Sequence, residues 1–241
     1  MNKENGTALF QVSLLQALSL GDYRGTVTIG ELKKHGDIGL GTFDGLDGEM
    51  IMLDGTVYKA AGDGSVSIVE NDATTPFANV TFAKDDIADA VSADSFKEFE
   101  KKMEDILRRE GSNSVYFIRI HGKFDITIRS IAKQSPPYRK LAEVLSKEQV
   151  VWDHKDICGT VVGVYCPAYM SMMNNHGWHL HFISDDRKIG GHVLDLSFAD
   201  AECLLTRTDS MNIIIPGTEP FQSMDLSQDQ EKDIKRIEGS R

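Results

Sequence analysis

The sequence predicts an α/β chain of the α+β type: an N-terminal mixed β-sheet with helices, then a C-terminal β-rich subdomain carrying a metal site. Asp-Gly pairs at Asp44-Gly45, Asp47-Gly48, Asp54-Gly55 and Asp63-Gly64 punctuate short apolar runs between Gly21 and Val91. Asp-Gly readily takes the positive φ of a tight hairpin turn. A capped amphipathic helix begins after Ser95. Beyond Asp156 the pattern returns to strands, including a short hairpin that holds three histidines.

Residues 9–20 form an apolar patch with Leu14, Leu15 and Leu18 on one side, which predicts a short amphipathic helix. Its flank, Met1 to Gly6, has no net positive charge and no small-residue cleavage site follows, which argues against a signal peptide. Thr28 with Glu31 three residues on predicts one capped turn of helix. Strands are expected at 49–53, 56–60, 65–70 and 78–83. Ser95 and Glu98 make a capping box ahead of Phe96, Phe99, Met103, Ile106 and Leu107, and Gly111 ends that helix. Residues 115–120 and 124–131 predict a hairpin across His121-Gly122-Lys123. Pro136-Pro137 predicts a second helix over 138–146, since proline is tolerated at a first helical position. Strands follow at 157–165, through the histidine hairpin, and at 212–215. The expected division is residues 1–150 and residues 151–241, with a soft boundary near 148–156.

The run Trp178-His179-Leu180-His181-Phe182 puts His179 and His181 on one face of a strand, because successive side chains alternate. Residues 185–191 are polar and end in Gly190-Gly191, so the chain turns back through His192-Val193-Leu194 and His192 faces the same pair. Three imidazoles with a coordination position left open are the pattern of a catalytic rather than a structural metal. Imidazole suits zinc, copper, iron and nickel, so these residues alone do not choose among them. His35, His121, His154 and His176 are read as non-ligands, with His176 the nearest rival.

Glu49 shares strand parity with Ile51 and Leu53. A carboxylate so placed is desolvated and its pKa rises toward the range of proton transfer, although a glutamate turned to solvent at a strand edge is the commoner outcome. Arg129 falls on the face of its strand opposite Ile126 and Ile128. Its guanidinium fork suits a carboxylate ligand, with an ordinary surface pairing as the alternative. Glu238 lies beside the C-terminus, where fraying is the default.

With 241 residues the chain has room for one large domain or two small ones. A net charge of −11 argues against a nucleic-acid surface or an anionic-membrane patch, and no run is long and apolar enough for a membrane span. Cys158, Cys166 and Cys203 form no CxxC pair and read as reduced, mostly buried thiols of a cytoplasmic protein.

The sequence resembles the α-acetolactate decarboxylase family through nearly its whole length. The resemblance is carried by Gly39-Leu40-Gly41-Thr42-Phe43, Leu46-Asp47-Gly48-Glu49-Met50, Asp54-Gly55-Thr56-Val57-Tyr58, Ile128-Arg129-Ser130 and Pro137-Tyr138. It continues in Gly177-Trp178-His179-Leu180-His181-Phe182, Gly190-Gly191-His192 and Ile237-Glu238-Gly239, the histidine block being the most specific part. It implies an α/β fold of two subdomains with the metal between them, and a homodimer. It implies zinc on His179, His181 and His192, active-site glutamates at Glu49 and Glu238, an active-site arginine at Arg129, and a nearby threonine at Thr42. The tail would fold back over the metal. The implied reaction is zinc-dependent decarboxylation of the small molecule (S)-2-acetolactate to (R)-acetoin and carbon dioxide, in acetoin biosynthesis. Two rival readings are a cupin-like metal-dependent oxygenase, which also sets His-x-His, a later His and a Glu on strands, and a non-enzymatic metal- or ligand-binding β-protein.

Overall fold

A computed structural model describes residues 7–227. In chain order the first elements are β1 (Ala8–Val12), α1 (Leu15–Ser19), β2 (Val27–Thr28), α2 (Ile29–Leu32), β3 (Ile38–Thr42), β4 (Glu49–Leu53), β5 (Thr56–Ala60), β6 (Val66–Ile68), β7 (Thr74–Thr75), β8 (Ala78–Thr81) and β9 (Ile87–Ala93). Then come α3 (Phe96–Glu110), β10 (Val115–Ser130), α4 (Leu141–Glu148), β11 (Val150–Cys166), β12 (Gly177–Ser184), β13 (Gly190–Thr208), β14 (Ser210–Ile214) and α5 (Glu219–Ser223). The mixed α/β architecture is the one the sequence predicts.

Local signals set several elements directly. Asp54 and Gly55 take φ of 50° and 72°, both in the left-handed region that a tight hairpin turn needs, and β4 folds back on β5 with Leu53 opposite Thr56. The Ser95 hydroxyl accepts from Glu98 N–H at 3.2 Å and Glu98 accepts in return from Asp94 N–H at 2.9 Å. α3 runs from that cap to Gly111, where φ is 114°. Thr28 caps α2 in the same way through Glu31 N–H.

Two sheets organise the described residues. One has seven strands in the order β14-β1-β8-β3-β4-β5-β6. In the other, β10 pairs with β11 along one edge and β13 along the other, while β12 joins β11 to the start of β13. These four strands therefore form a closed cycle of pairings, with β9 added on β13. Leu40, Ile51 and Leu53 of the first sheet pack against Phe117, Val162, Val164 and Ile183 of the second. The even-numbered residues Trp178, Leu180 and Phe182 join a separate core with α3. That leaves the odd positions of β12, and so its two histidines, on the face toward the first sheet.

Several expectations are corrected. Residues 9–20 are not one helix: β1 lies between β14 and β8, Ser13 breaks the chain at φ 60°, and only Leu15–Ser19 is helical. Both faces of β1 are covered, so even Gln11 is buried, its amide donating to the Ser13 and Met173 carbonyls. No hairpin forms at His121-Gly122-Lys123. β10 runs straight through with Gly122 opposite Gly159, and the alternation of Ile118, Ile120, Phe124, Ile126 and Ile128 in one core continues across the polar triplet. The second helix starts at Leu141 rather than after the prolines. Before it, the Tyr138 ring packs on Tyr23, and the Arg139 carbonyl accepts from the Tyr23 hydroxyl at 2.9 Å, holding the chain out of a helix. β3 and β9 had no strand prediction. Each sheet draws strands from both sides of residue 150, with β14 in the first and β9 and β10 in the second.

Candidate active site

The β12–β13 hairpin sets His181 directly opposite His192 in the ladder. His179 stands two residues back on the same face. His179 Nε2 lies 3.1 Å from His181 Nε2 and 3.1 Å from His192 Nδ1. All three rings are buried, and the nitrogens that converge lie within 4.8 Å of one another, a group able to hold a metal ion. His181 Nδ1 is 2.8 Å from the Met50 carbonyl oxygen. A carbonyl only accepts, so Nδ1 carries the proton and Nε2 keeps its lone pair toward the cluster.

Burial keeps these imidazoles neutral. His179 is pushed down to about 3, first by burial and then by the Arg129 cation. His181 and His192 also lie well below the ordinary histidine range, with burial the leading cause for both. For His181 the proximity of His179 adds to it, and for His192 that of Arg129.

The first sheet supplies a carboxylate and a hydroxyl. Glu49 opens β4 opposite Thr42 of β3, and its Oε2 lies 3.5 Å from His181 Nε2 with the side chain 12% exposed. Gly48, at φ 83°, lets the chain turn so that Glu49 enters the interior. Thr42 Oγ1 donates to the Gly48 carbonyl at 2.7 Å and fixes that turn.

Arg129 sits opposite His192 in the β10–β13 ladder and is buried. The face that looked polar in the sequence is thus covered by the opposing layer rather than by water. Arg129 Nη1 is 3.5 Å from Gln149 Oε1, and Nε is buried with no hydrogen-bond partner among the described residues. A buried donor left over in this way points to a ligand that satisfies it.

Thr42, Glu49, Arg129, His179 and His192 line one narrow cavity of about 30 Å³. Its remaining walls come from Leu15 and Leu18 of α1, Leu141 and Leu145 of α4, and Gly41, Leu46, Phe77 and Ile131. Reading the sequence did not find these apolar residues, nor Met50 and Gln149. Helical spacing marks Leu141 and Leu145 as an inward face, but nothing local distinguishes a cavity wall from core. Glu238 lies outside the described residues. His176 is exposed and stands apart from the cluster. His35 stacks on Phe10, and His121 pairs with Asp185.

Fold and site define an α/β enzyme built around a buried three-histidine centre. The model of the alpha-acetolactate decarboxylase family matches residues 9–228, and the chain belongs to that family of carboxy-lyases. The alpha-acetolactate decarboxylase of Methanosarcina mazei is 38% identical over 232 residues, covering 95% of this chain and 80% of the relative. That of Bacillus subtilis strain 168 is 36% identical over 235 residues, covering 96% and 91%. The solved structure of alpha-acetolactate decarboxylase from B. subtilis strain 168 superposes with a TM-score of 0.92 at 35% identity, covering 97% of this chain and all of that one. These likenesses give no support to the oxygenase or the non-enzymatic reading.

Proposed function

We propose that this carboxy-lyase converts (S)-2-acetolactate to (R)-acetoin and carbon dioxide, with zinc held by His179, His181 and His192. The observation that carries the reading is the convergence of three ring nitrogens within 4.8 Å in a cavity that also receives Glu49 and Arg129. The residues fit a divalent cation: burial keeps all three rings neutral, and the Met50 carbonyl fixes His181 with its lone pair inward. Three imidazoles with an open position suit catalytic zinc. When bound, the metal supplies Lewis-acid stabilisation of the negative charge that develops on the substrate oxygens as carbon dioxide leaves.

The side chains do the rest. Arg129 offers a desolvated fork to the substrate carboxylate, with Nε still to be satisfied. So held, the carboxylate bond lies across the plane of the ketone, and on cleavage its electron pair flows into that carbonyl. Glu49, close to His181, holds the substrate hydroxyl. Glu238 delivers a proton to one face of carbon 2, which gives a single enantiomer. Thr42 keeps the strand turn that aims Glu49. The reading extends to a cytoplasmic homodimer acting on a small molecule in acetoin biosynthesis, without nucleic-acid or membrane partners.

The direct test is an acetoin assay on freshly prepared acetolactate, run with and without a chelator. Acetoin should form, disappear on chelation and return with added zinc. A pure, folded, zinc-loaded protein that yields no acetoin would sink the proposal.

A further inference from the structure

We propose that the leucine roof of the cavity, Leu18 of α1 with Leu141 and Leu145 of α4, reads the alkyl group on carbon 2 of the substrate and sets the size accepted there. This rests on the decarboxylase reading above. The cavity lining is of two chemical kinds. Thr42, Glu49, Arg129, His179 and His192 supply the polar lining, and leucines with Phe77 and Ile131 supply the apolar one. The substrate's carboxylate, hydroxyl and ketone each find a charged, hydrogen-bonding or metal-ligating partner in the polar lining. Its alkyl groups have none, and burying them against leucine is the favourable placement.

The roof is made for contact rather than for solvent. Leu15 and Leu18 lie three residues apart on α1, and Leu141 and Leu145 four apart on α4, so each short helix turns a pair of leucines to one side. Leu18, Leu141 and Leu145 are buried. They belong to a small cluster with Leu46 and Phe77, separate from the cores between the sheets and beneath α3. A cavity of about 30 Å³ has room for roughly two waters. An alkyl group held beside the polar groups therefore lies in contact with these walls. A snug apolar pocket discriminates one methylene by about 10- to 200-fold.

The test is the ratio of kcat/KM for acetolactate to that for its 2-ethyl homologue, read from carbon dioxide release. The wild type should favour the methyl compound. Leu141→Ala and Leu145→Ala should move the ratio toward the ethyl compound by ~10-fold or more. Leu18→Phe, which fills the roof, should move it the other way. Should an alanine variant fail to fold, Leu145→Val gives the same readout with a smaller shift. Folded, metal-loaded variants that lose activity equally on both substrates, leaving the ratio where it was, overturn the proposal. A wild type that releases carbon dioxide from neither compound is a different result, since it removes the decarboxylase reading itself.

Discussion

At the residue scale, His181 joins the two layers: one ring nitrogen donates to the Met50 carbonyl of the first sheet, and the other faces His179. His181→Ala is expected to abolish bound metal and acetoin formation together, as measured by metal analysis and turnover; an active variant without metal would end the ligand assignment. Arg129→Lys keeps the charge but loses the planar fork. Hydrogen bonds to charged groups are worth about 1.5–3 kcal/mol, so kcat/KM should fall ~10- to 100-fold. Unchanged steady-state kinetics would take Arg129 out of the site. Glu238→Gln should retain the metal while turnover drops by ~10²–10⁴, the usual reach of a general acid. Near-normal turnover would leave the tail without a role in proton delivery.

At the element scale, the strands that carry the chemistry depend on close backbone approach. A Cβ on Gly39 of β3 would come within 2.1 Å of the Asn79 carbonyl oxygen and 2.7 Å of the Val80 side chain. Gly39→Ala should therefore force β3 away from β8 and cost about 1–3 kcal/mol or more, seen as a lower urea midpoint. A midpoint equal to wild type would mean the ladder yields freely. The cap of α3 is a milder case: Ser95→Ala leaves Glu98 N–H without its side-chain acceptor and should cost about 0.5–2 kcal/mol. Turns and caps such as these were legible because a few adjacent residues decide them. β1 and β10 were not: β1 is covered on both faces and so lacks the alternation of a half-buried strand, while the polar triplet at 121–123 reads locally as a turn although the apolar alternation of β10 carries through it.

At the scale of the whole molecule, the three buried imidazoles should make the metal-free protein acid-sensitive. An unfolded histidine binds its proton near pH 6.5, whereas folded His179 does so only at about 3, with His181 and His192 likewise depressed. Between those limits the unfolded state holds more protons, so stability is full above about pH 6.5 and declines as pH falls toward 3. Denaturant melts of metal-free protein from pH 7.5 to 4.5 should show this decline, lessened in a variant lacking all three histidines. A flat profile for the wild type would mean the rings are hydrated in solution.

The sequence by itself determined the histidine hairpin, the Asp-Gly turns and the helix caps, because spacing and turn chemistry act over a few residues, while Thr42, Glu49, Arg129 and Glu238 stood out as site residues through the family resemblance. Only the tertiary structure decided that Arg129 and Glu49 are interior and that α1 and α4 roof the cavity. It also decided that each sheet draws strands from both sides of residue 150. Those outcomes depend on which strand lies beside which, and on what covers each face. Burial against distant chain, unlike a turn, leaves no local mark to read.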